Sequence, residues 1–245
     1  MKHTTIILAL LALSVITISS ACQQGSGTSQ SNANGPSSSP VAALSPSPES
    51  SPTPEQPRSG DLDAAISSGD VAYEMSGIDS TQINLTVQNK SDRIWEVKIE
   101  VGTKLEPDSS DVQRMVVTKE VHVHLEPHHH DNVELDASCL DISKAAPSQS
   151  DTAWQIRRSP ALAQFINCAN NAITDAKSEE DRADLIQFSI WQARGATHDQ
   201  WVHFWSGQGL SSDGIEHRIA EYEPRVTRVT SRVLDGTANL DFQLR

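Results

Sequence analysis

Five of the nine histidines in this 245-residue chain lie in one stretch, residues 121–135, which reads VHVHLEPHHHDNVEL. Imidazole is a common protein ligand for zinc, copper and nickel, and neighbouring carboxylates can complete the coordination shell. The histidines of this stretch are therefore a candidate site for zinc or copper: His122, His124, His128, His129 and His130. The alternative is a solvated hairpin tip, where histidine is a tolerated polar residue whose protonation in mildly acidic surroundings reduces the local negative charge.

The residues around these histidines predict the elements that would hold them. Three apolar residues alternate with His122 and His124, which predicts a strand with both imidazoles on its polar face. Pro127 then begins a turn that carries the other three histidines. A strand and a turn could bring these imidazoles to one ion, although their spacing matches no established zinc motif.

Catalytic motifs give no comparable signal. The sequence has no G-x-S-x-G elbow, no HExxH, no phosphate-binding glycine loop and no CxxC pair. Carboxylates are numerous, but no pair of them is marked as desolvated. We therefore predict a protein that is not an enzyme.

Alternating hydrophobicity predicts β-strands in the first half of the folded region. Residues 81–89 and 93–102 alternate apolar and polar side chains and are separated by turn-forming residues, which predicts an antiparallel hairpin. Residues 112–127 and 132–140 continue the pattern. Short strands with polar turns predict an immunoglobulin-like β-sandwich over residues 61–147.

Helical periodicity replaces this pattern in the second half, residues 148–245. Ser159, Ser178 and Thr197 each precede an apolar series at helical spacing and are predicted N-caps. A further helix is predicted to reach Pro224, whereas residues 225–235 fit either a helix or a strand. The sequence thus predicts an α+β protein, with the aromatic residues of this half in its core: Trp191, Trp201, Phe204 and Trp205.

The charge balance restricts the partners of the chain. Its 32 acidic residues outnumber 19 basic ones, for a net charge of −13. We therefore expect no nucleic-acid partner, because the chain would repel its phosphates. A protein or a glycan is the expected class of partner.

Residues 1–21 have the pattern of a signal peptide, with a lysine at the start, an apolar run and a small-residue end. The run is short for a membrane-spanning helix, which needs about 20 apolar residues. Its last residues, Ser19-Ser20-Ala21-Cys22, resemble the lipobox of bacterial lipoproteins. That resemblance implies export, cleavage before Cys22 and a lipid on this cysteine. The protein would then be anchored to the outer membrane or the periplasmic face in a diderm host, and to the cell surface in a monoderm one.

The residues after Cys22 predict a disordered tether that extends to residue 60. They are almost entirely Ser, Pro, Gly, Gln, Asn and Thr, and such a composition buries too little apolar surface to offset the entropy lost on folding. Random-coil scaling gives this tether a reach of roughly 35 Å. The folded domain could therefore contact a partner away from the lipid headgroups.

The other two cysteines, Cys139 and Cys168, are predicted to form a disulfide bond. Paired thiols are more common than free ones in exported proteins. In the chain-entropy model such a bond stabilises the fold by about 3.6 kcal/mol.

A second resemblance covers six residues, Ile186-Gln187-Phe188-Ser189-Ile190-Trp191. These are similar to the glutamine-containing helix of bacterial surface thioester domains. In that family a cysteine and a glutamine side chain form an internal thioester, which captures host amines covalently. The resemblance implies that Gln187 is this glutamine. A disulfide between Cys139 and Cys168 would leave no free cysteine to form the thioester.

Together these patterns predict a lipid-anchored envelope protein with a non-enzymatic binding or scaffolding domain on a flexible tether. A metal-binding envelope protein and a covalent thioester adhesin are the alternatives.

Overall fold

A computed structural model describes residues 56–235, and these residues form an α+β fold, as predicted. The strands are β1 Arg58–Asp61, β2 Val71–Gly77, β3 Gln82–Asn89, β4 Trp95–Ile99, β5 Thr103–Pro107, β6 Met115–Val117, β7 Val121–Leu125, β8 His130–Cys139 and β9 Trp154–Arg158. The helices are α1 Leu62–Ser67, α2 Pro160–Ala172, α3 Glu179–Ala193, α4 His198–Gly207 and α5 Ser212–Asp235. The predicted signal peptide, the lipidation site Cys22 and most of the predicted tether lie outside the described residues.

Two sheets carry the strands. A three-stranded sheet has the order β1-β4-β7, with β1 parallel to β4. A six-stranded sheet has the order β2-β3-β8-β6-β5-β9 and is antiparallel throughout. This strand order differs from the four-plus-three pairing of an immunoglobulin domain. The α+β class is therefore as predicted, but the strands do not pair as they do in an immunoglobulin domain.

The predicted hairpin between β3 and β4 is wrong, although both strands exist. β3 lies in the six-stranded sheet and β4 in the three-stranded one, so the connection between them crosses from one sheet to the other. Asn89 fixes this crossing: its side-chain amide donates to the carbonyl oxygens of Arg93, Leu125 and Glu126. Asn89 is fully buried. The alternation of apolar and polar residues predicts strands, but it does not predict which sheet each strand joins.

Two boundaries differ from the predicted ones. Residues 58–60, assigned to the tether from their composition, belong to β1 and pair with β4. β9, at residues 154–158, lies in the predicted helical half but pairs with β5 in the six-stranded sheet. Both segments are short, at four and five residues, so their strand conformation depends on the neighbouring strand.

The helical half follows its sequence closely. Ser159, Ser178 and Thr197 are the N-caps of α2, α3 and α4, and Thr197 forms the reciprocal capping box with Gln200. Gly102, which precedes β5, has a φ of +85°, and a Cβ there would lie 2.5 Å from the backbone of Ala163. The first turn of α2 therefore packs directly against the sheet because this residue has no side chain.

The last helix, α5, does not end at Pro224 but continues through the ambiguous residues 225–235. Proline inside a helix removes a hydrogen bond and costs about 3 kcal/mol. Burial on the same helix offsets this cost, because Val226, Val229 and Val233 are each at most 1 % exposed. Tertiary packing therefore decides the conformation of this segment.

The core of the helical half is aromatic, as predicted. Trp191 is 1 % exposed, and Phe188 packs edge-on against the rings of Trp201 and Trp205. Phe204 packs against Trp191 with ring centroids 4.9 Å apart. These contacts hold α3 and α4 together.

Candidate functional site

The predicted histidine strand is correct, and its imidazoles lie on an exposed surface. His122 and His124 project from the same side of β7, opposite Lys98 and Glu96 of β4. We call the exposed side of β4 and β7 the histidine face. Val123 and Leu125 project to the other side and are buried. The alternation in the sequence therefore predicted both the strand and its orientation.

Each imidazole of the histidine face is bonded to carboxylates. His122 Nε2 lies 2.8 Å from an oxygen of Glu120. His124 lies between two of them, with Nδ1 2.6 Å from Glu96 and Nε2 3.1 Å from Glu126. The pKa of His124 is raised above its ordinary value, mainly by Glu96 and then by Glu126, because both stabilise the imidazolium form.

The other three histidines occupy the turn before β8 and its first residue. His128 has a φ of +58° and its Nε2 lies 2.8 Å from Asp92. His129 and His130 are exposed. Within residues 56–235, no group of three or more histidine, cysteine or acidic side chains is arranged to hold a metal ion. The five imidazoles are thus spread along a strand and a turn.

The predicted disulfide is wrong. Cys139 and Cys168 are both buried, but they are not bonded to each other. Cys139 ends β8, and its thiol donates to the carbonyl oxygen of Ser80 at 3.3 Å, whereas Cys168 lies in α2. Burial raises the pKa of the Cys139 thiol, which stays protonated at neutral pH. The disulfide was predicted from the number of cysteines, and this number does not tell whether two of them lie close enough to bond.

Gln187, the glutamine of the six-residue resemblance, lies against Cys139. The main-chain N–H of Cys139 donates to Gln187 Oε1 at 2.6 Å. In return, Gln187 Nε2 donates to the carbonyl oxygen of Cys139, also at 2.6 Å. Gln187 is 5 % exposed and Cys139 is fully buried. We call this pair the Cys139–Gln187 junction.

The junction lies where the pairing of β3 with β8 stops. Gln82, the first residue of β3, pairs with Asp136, and the N–H of Ala137 donates to the carbonyl oxygen of Thr81, just before β3. Cys139 is two residues further on, and its N–H and carbonyl point to the same side as those of Ala137. The amide of Gln187 thus takes the place of the next peptide group of β3 and satisfies two buried backbone groups.

Two cavities lie beside the junction. The first, which we call the acidic cleft, has a volume of about 580 Å³ and lies between α3 and the sheet. Its lining has more acidic side chains than basic ones: Asp136, Glu179, Glu180 and Asp184 against Lys119 and Arg182. The second, the aromatic pocket, has a volume of about 310 Å³ and lies next to Ser80 and Phe188. Asp184 lines both cavities. No motif in the sequence marks Asp184, although its position three residues before Gln187 on a helix places the two residues near each other.

Comparisons with known proteins give no family for this chain. No family model, no curated protein and no solved structure matches it. Among residues 56–235, no helix has the length and apolar character needed to span a membrane.

Proposed function

We propose that this protein is a lipid-anchored envelope protein that carries a non-enzymatic binding domain. The lipid at Cys22 would hold it to the membrane, and the Ser/Pro-rich tether would separate the domain from the headgroups. The order of these segments supports the proposal, because the folded region begins with β1 at Arg58, within the last three residues of the predicted tether. The partner of the domain would be a protein or a glycan.

The anchor is tested by a Cys22→Ser variant expressed in a bacterial host. Wild-type protein is expected in the membrane fraction, and the variant is expected to lose the lipid and leave that fraction. A variant that remains membrane-bound and normally processed would contradict lipidation at Cys22. Cys168→Ser is the matched control, because it removes a cysteine without changing the lipobox.

We further infer that the domain captures its partner covalently, through an internal thioester between Cys139 and Gln187. The contact between these two residues is the observation that carries this proposal. The resemblance of residues 186–191 to surface thioester domains selected Gln187 without any knowledge of its neighbours. The contact places this glutamine against a cysteine from a distant strand, which is the residue pair that the chemistry needs.

The bonds of the junction suit the formation of a thioester. The thiol sulfur of Cys139 would bond to the Gln187 amide carbon, while the thiol proton moves to Nε2 and ammonia leaves. Negative charge then develops on Oε1, which already accepts the N–H of Cys139 at 2.6 Å. The carbonyl of Cys139 orients Nε2, the leaving group. The thioester would require the Cys139 sulfur to leave the carbonyl oxygen of Ser80 and approach the amide carbon.

Intact-mass spectrometry of the purified full chain tests the thioester. The expected mass is lower than that of the unmodified chain by one ammonia, and methylamine should add to the protein and release one thiol. Gln187→Ala and Cys139→Ala should each abolish both changes, whereas Cys168→Ser should keep them. An unmodified mass, with Cys139 and Cys168 both alkylated after unfolding, would overturn the proposal. Gln187 would then serve only to complete the edge of β8.

A metal-binding role is the second candidate, because five histidines share β7, the turn after it and the start of β8. Imidazole nitrogens are ligands for zinc and copper. Calorimetric titration of zinc, copper and nickel into a tag-free chain tests this role, beside a variant with His128, His129 and His130 changed to Ala. Tight, stoichiometric binding that the variant loses would support it, and weak, unselective binding would contradict it.

A further inference from the structure

A third cavity, which we call the basic pocket, lies between the segment after β8 and the loop from α3 to α4. It has a volume of about 180 Å³. Its charged lining residues are Asp141, Lys144 and Arg194, so two positive charges stand against one negative charge. The linings of the acidic cleft and the aromatic pocket both have more acidic than basic residues. In a chain with a net charge of −13, the basic pocket is thus a place where an anion is favoured.

Side chains, and not helix ends, set the charge of the basic pocket. α3 ends beside this cavity at Ala193, and α4 begins beside it at His198. The end of one helix carries a partial negative charge and the start of the next a partial positive one, so the two contributions oppose each other. An anion would therefore bind through Lys144 and Arg194.

The acidic residue of the basic pocket is already bonded. Asp141 accepts from Arg114 Nε at 2.8 Å and from Arg114 Nη2 at 2.6 Å. Arg194 Nη2 donates to the same carboxylate at 3.2 Å. One carboxylate is thus shared by two guanidinium groups, and Lys144 adds a third cation to the cluster. The four side chains keep a net positive charge, which a bound anion would balance.

Arg194 is the cation whose charge is least well compensated. Its side chain is 17 % exposed. Burial lowers the pKa of Arg194, and the positive charge of Arg114 acts in the same direction, against the charge and the bond of Asp141. A carboxylate beside Arg194 would stabilise the charged form, and a planar guanidinium group can donate two parallel bonds to a carboxylate.

The uncharged polar groups of the basic pocket also favour a ligand that accepts hydrogen bonds. Trp191 is 1 % exposed, and its indole N–H has no hydrogen-bond partner among the described residues. A buried donor without a partner costs free energy, which an acceptor atom at this end of the pocket would recover. Gln200 Oε1 already accepts the N–H of Thr197, whereas Gln200 Nε2 is a donor. Apart from the hydroxyl of Ser143, the side-chain acceptors of the lining are therefore occupied.

The size and the apolar lining of the basic pocket favour a carboxylate on a short carbon chain. Pockets that enclose a whole small molecule have volumes of roughly 300–1,000 Å³, so this smaller cavity would hold one side chain of a larger ligand. Its apolar residues, Leu140, Ile142 and Ala196, suit methylene groups. A sugar ring carries several hydroxyl groups that need acceptors, and the lining has few of them. The single excess positive charge matches a carboxylate better than a dianion such as sulfate.

We propose that the basic pocket binds the carboxylate of a glutamate or aspartate side chain of a partner protein. Arg194 and Lys144 would bond to this carboxylate, and the methylene groups of the same side chain would lie against Leu140 and Ile142. This inference rests on the proposed binding role of the domain, and it gives the partner a class, a protein with an exposed acidic residue. It depends neither on the lipid at Cys22 nor on the thioester.

NMR titration of the full-length chain tests the basic pocket. Nα-acetyl-glutamate amide is the peptide probe, and Nα-acetyl-glutamine amide is its uncharged counterpart. Glucuronate represents an acidic sugar, and inorganic sulfate represents a dianion. The indole N–H resonance of Trp191, assigned with a Trp191→Phe variant, reports on binding. Lys144→Gln and Arg194→Gln remove the two cations, and Lys90→Gln is the matched control because Lys90 is exposed and directly follows β3.

The glutamate probe should shift the Trp191 resonance and reach saturation, and the glutamine probe should leave it unchanged. Arg194→Gln should weaken binding at least about 10-fold and Lys144→Gln about 5-fold, whereas Lys90→Gln should have no effect. If Arg194→Gln does not fold, Lys144→Gln decides.

Three results would overturn the proposal: no shift with the glutamate probe, an equal shift with the glutamine probe, or unchanged affinity in the variants that lack Lys144 or Arg194. Tighter binding of glucuronate or of sulfate would overturn the assignment to a protein carboxylate. A chain that is anchored through Cys22 but shows none of these shifts would retain the proposed anchored binding domain and lose only this site.

Discussion

The histidine face and the Cys139–Gln187 junction differ in how they hold their polar groups. The face collects many groups with ligand chemistry, but all its imidazoles are exposed and bond to flexible carboxylates. The junction has only one cysteine and one amide, both buried and joined by two short hydrogen bonds. The histidine face thus has many potential ligand groups in exposed positions, whereas the junction has few groups that are held in one geometry.

This difference has a physical origin. An exposed pair gains little, because water competes for each group and the side chains lose entropy when they are held. A buried amide cannot exchange its partners for water, so its position is determined by the fold. We therefore expect substitutions at the junction to have large effects and those on the histidine face to have small ones.

Gln187→Ala should produce the largest effect. It leaves the N–H and the carbonyl of Cys139 buried without partners, at about 1–3 kcal/mol each, so the free energy of unfolding should fall by roughly 2–6 kcal/mol. Urea unfolding measures this change. Gln192→Ala, on the same helix, removes only an exposed bond to Thr227 and should cost less than about 1 kcal/mol. Similar losses in the two variants would contradict the structural role of the junction.

Acid should weaken the helical half through Asp181. This residue accepts two bonds from Arg225, at 2.8 and 2.7 Å, and it is 8 % exposed. Arg225, together with the N–H of Lys177, lowers the pKa of Asp181 to about 2. A lowered pKa in the folded state means that the stabilisation is complete above the unfolded value and is lost as pH falls toward 2.

The expected loss from Asp181 is roughly 2 kcal/mol between about pH 5 and pH 2. Urea unfolding at several pH values should show it in the wild type, and Asp181→Asn should flatten this part of the profile. An unchanged slope in the variant would contradict the assignment to Asp181.

Paired substitution on the histidine face should have a small effect. His122→Ser combined with His124→Ser should change the free energy of unfolding by less than about 0.5 kcal/mol, because both imidazoles are exposed and their apolar neighbours on β7 are unaffected. A loss comparable to that of Gln187→Ala would show that this face is as important to the stability of the fold as the junction.

The smallest expected effect is a change in the titration of His124. Glu96→Gln removes the main cause of its raised pKa, so this pKa should fall, as measured by NMR. Glu134→Gln, an exposed change on β8, should leave it unchanged. Since the folded pKa is raised, the stabilisation from these bonds is present below the unfolded pKa and is lost as pH rises through the folded one. An unaltered pKa in Glu96→Gln would contradict the bond to Glu96.

Local patterns predicted the elements more reliably than their partners. The caps at Ser159, Ser178 and Thr197 were predicted because capping depends on a few adjacent residues. The strand of His122 and His124 was predicted because alternation is a local property. The β3–β4 hairpin and the disulfide were wrong because both require knowledge of which distant segment lies alongside.

The sequence by itself determined the α+β class, the helix starts and the orientation of the histidine strand. Only the tertiary structure decided that α5 continues past Pro224, that β9 returns to the sheet, and that Gln187 contacts Cys139. The physical reason is the same in each case. Local propensity acts over one or two helical turns, whereas burial and the pairing of backbone groups depend on segments that are far apart along the chain.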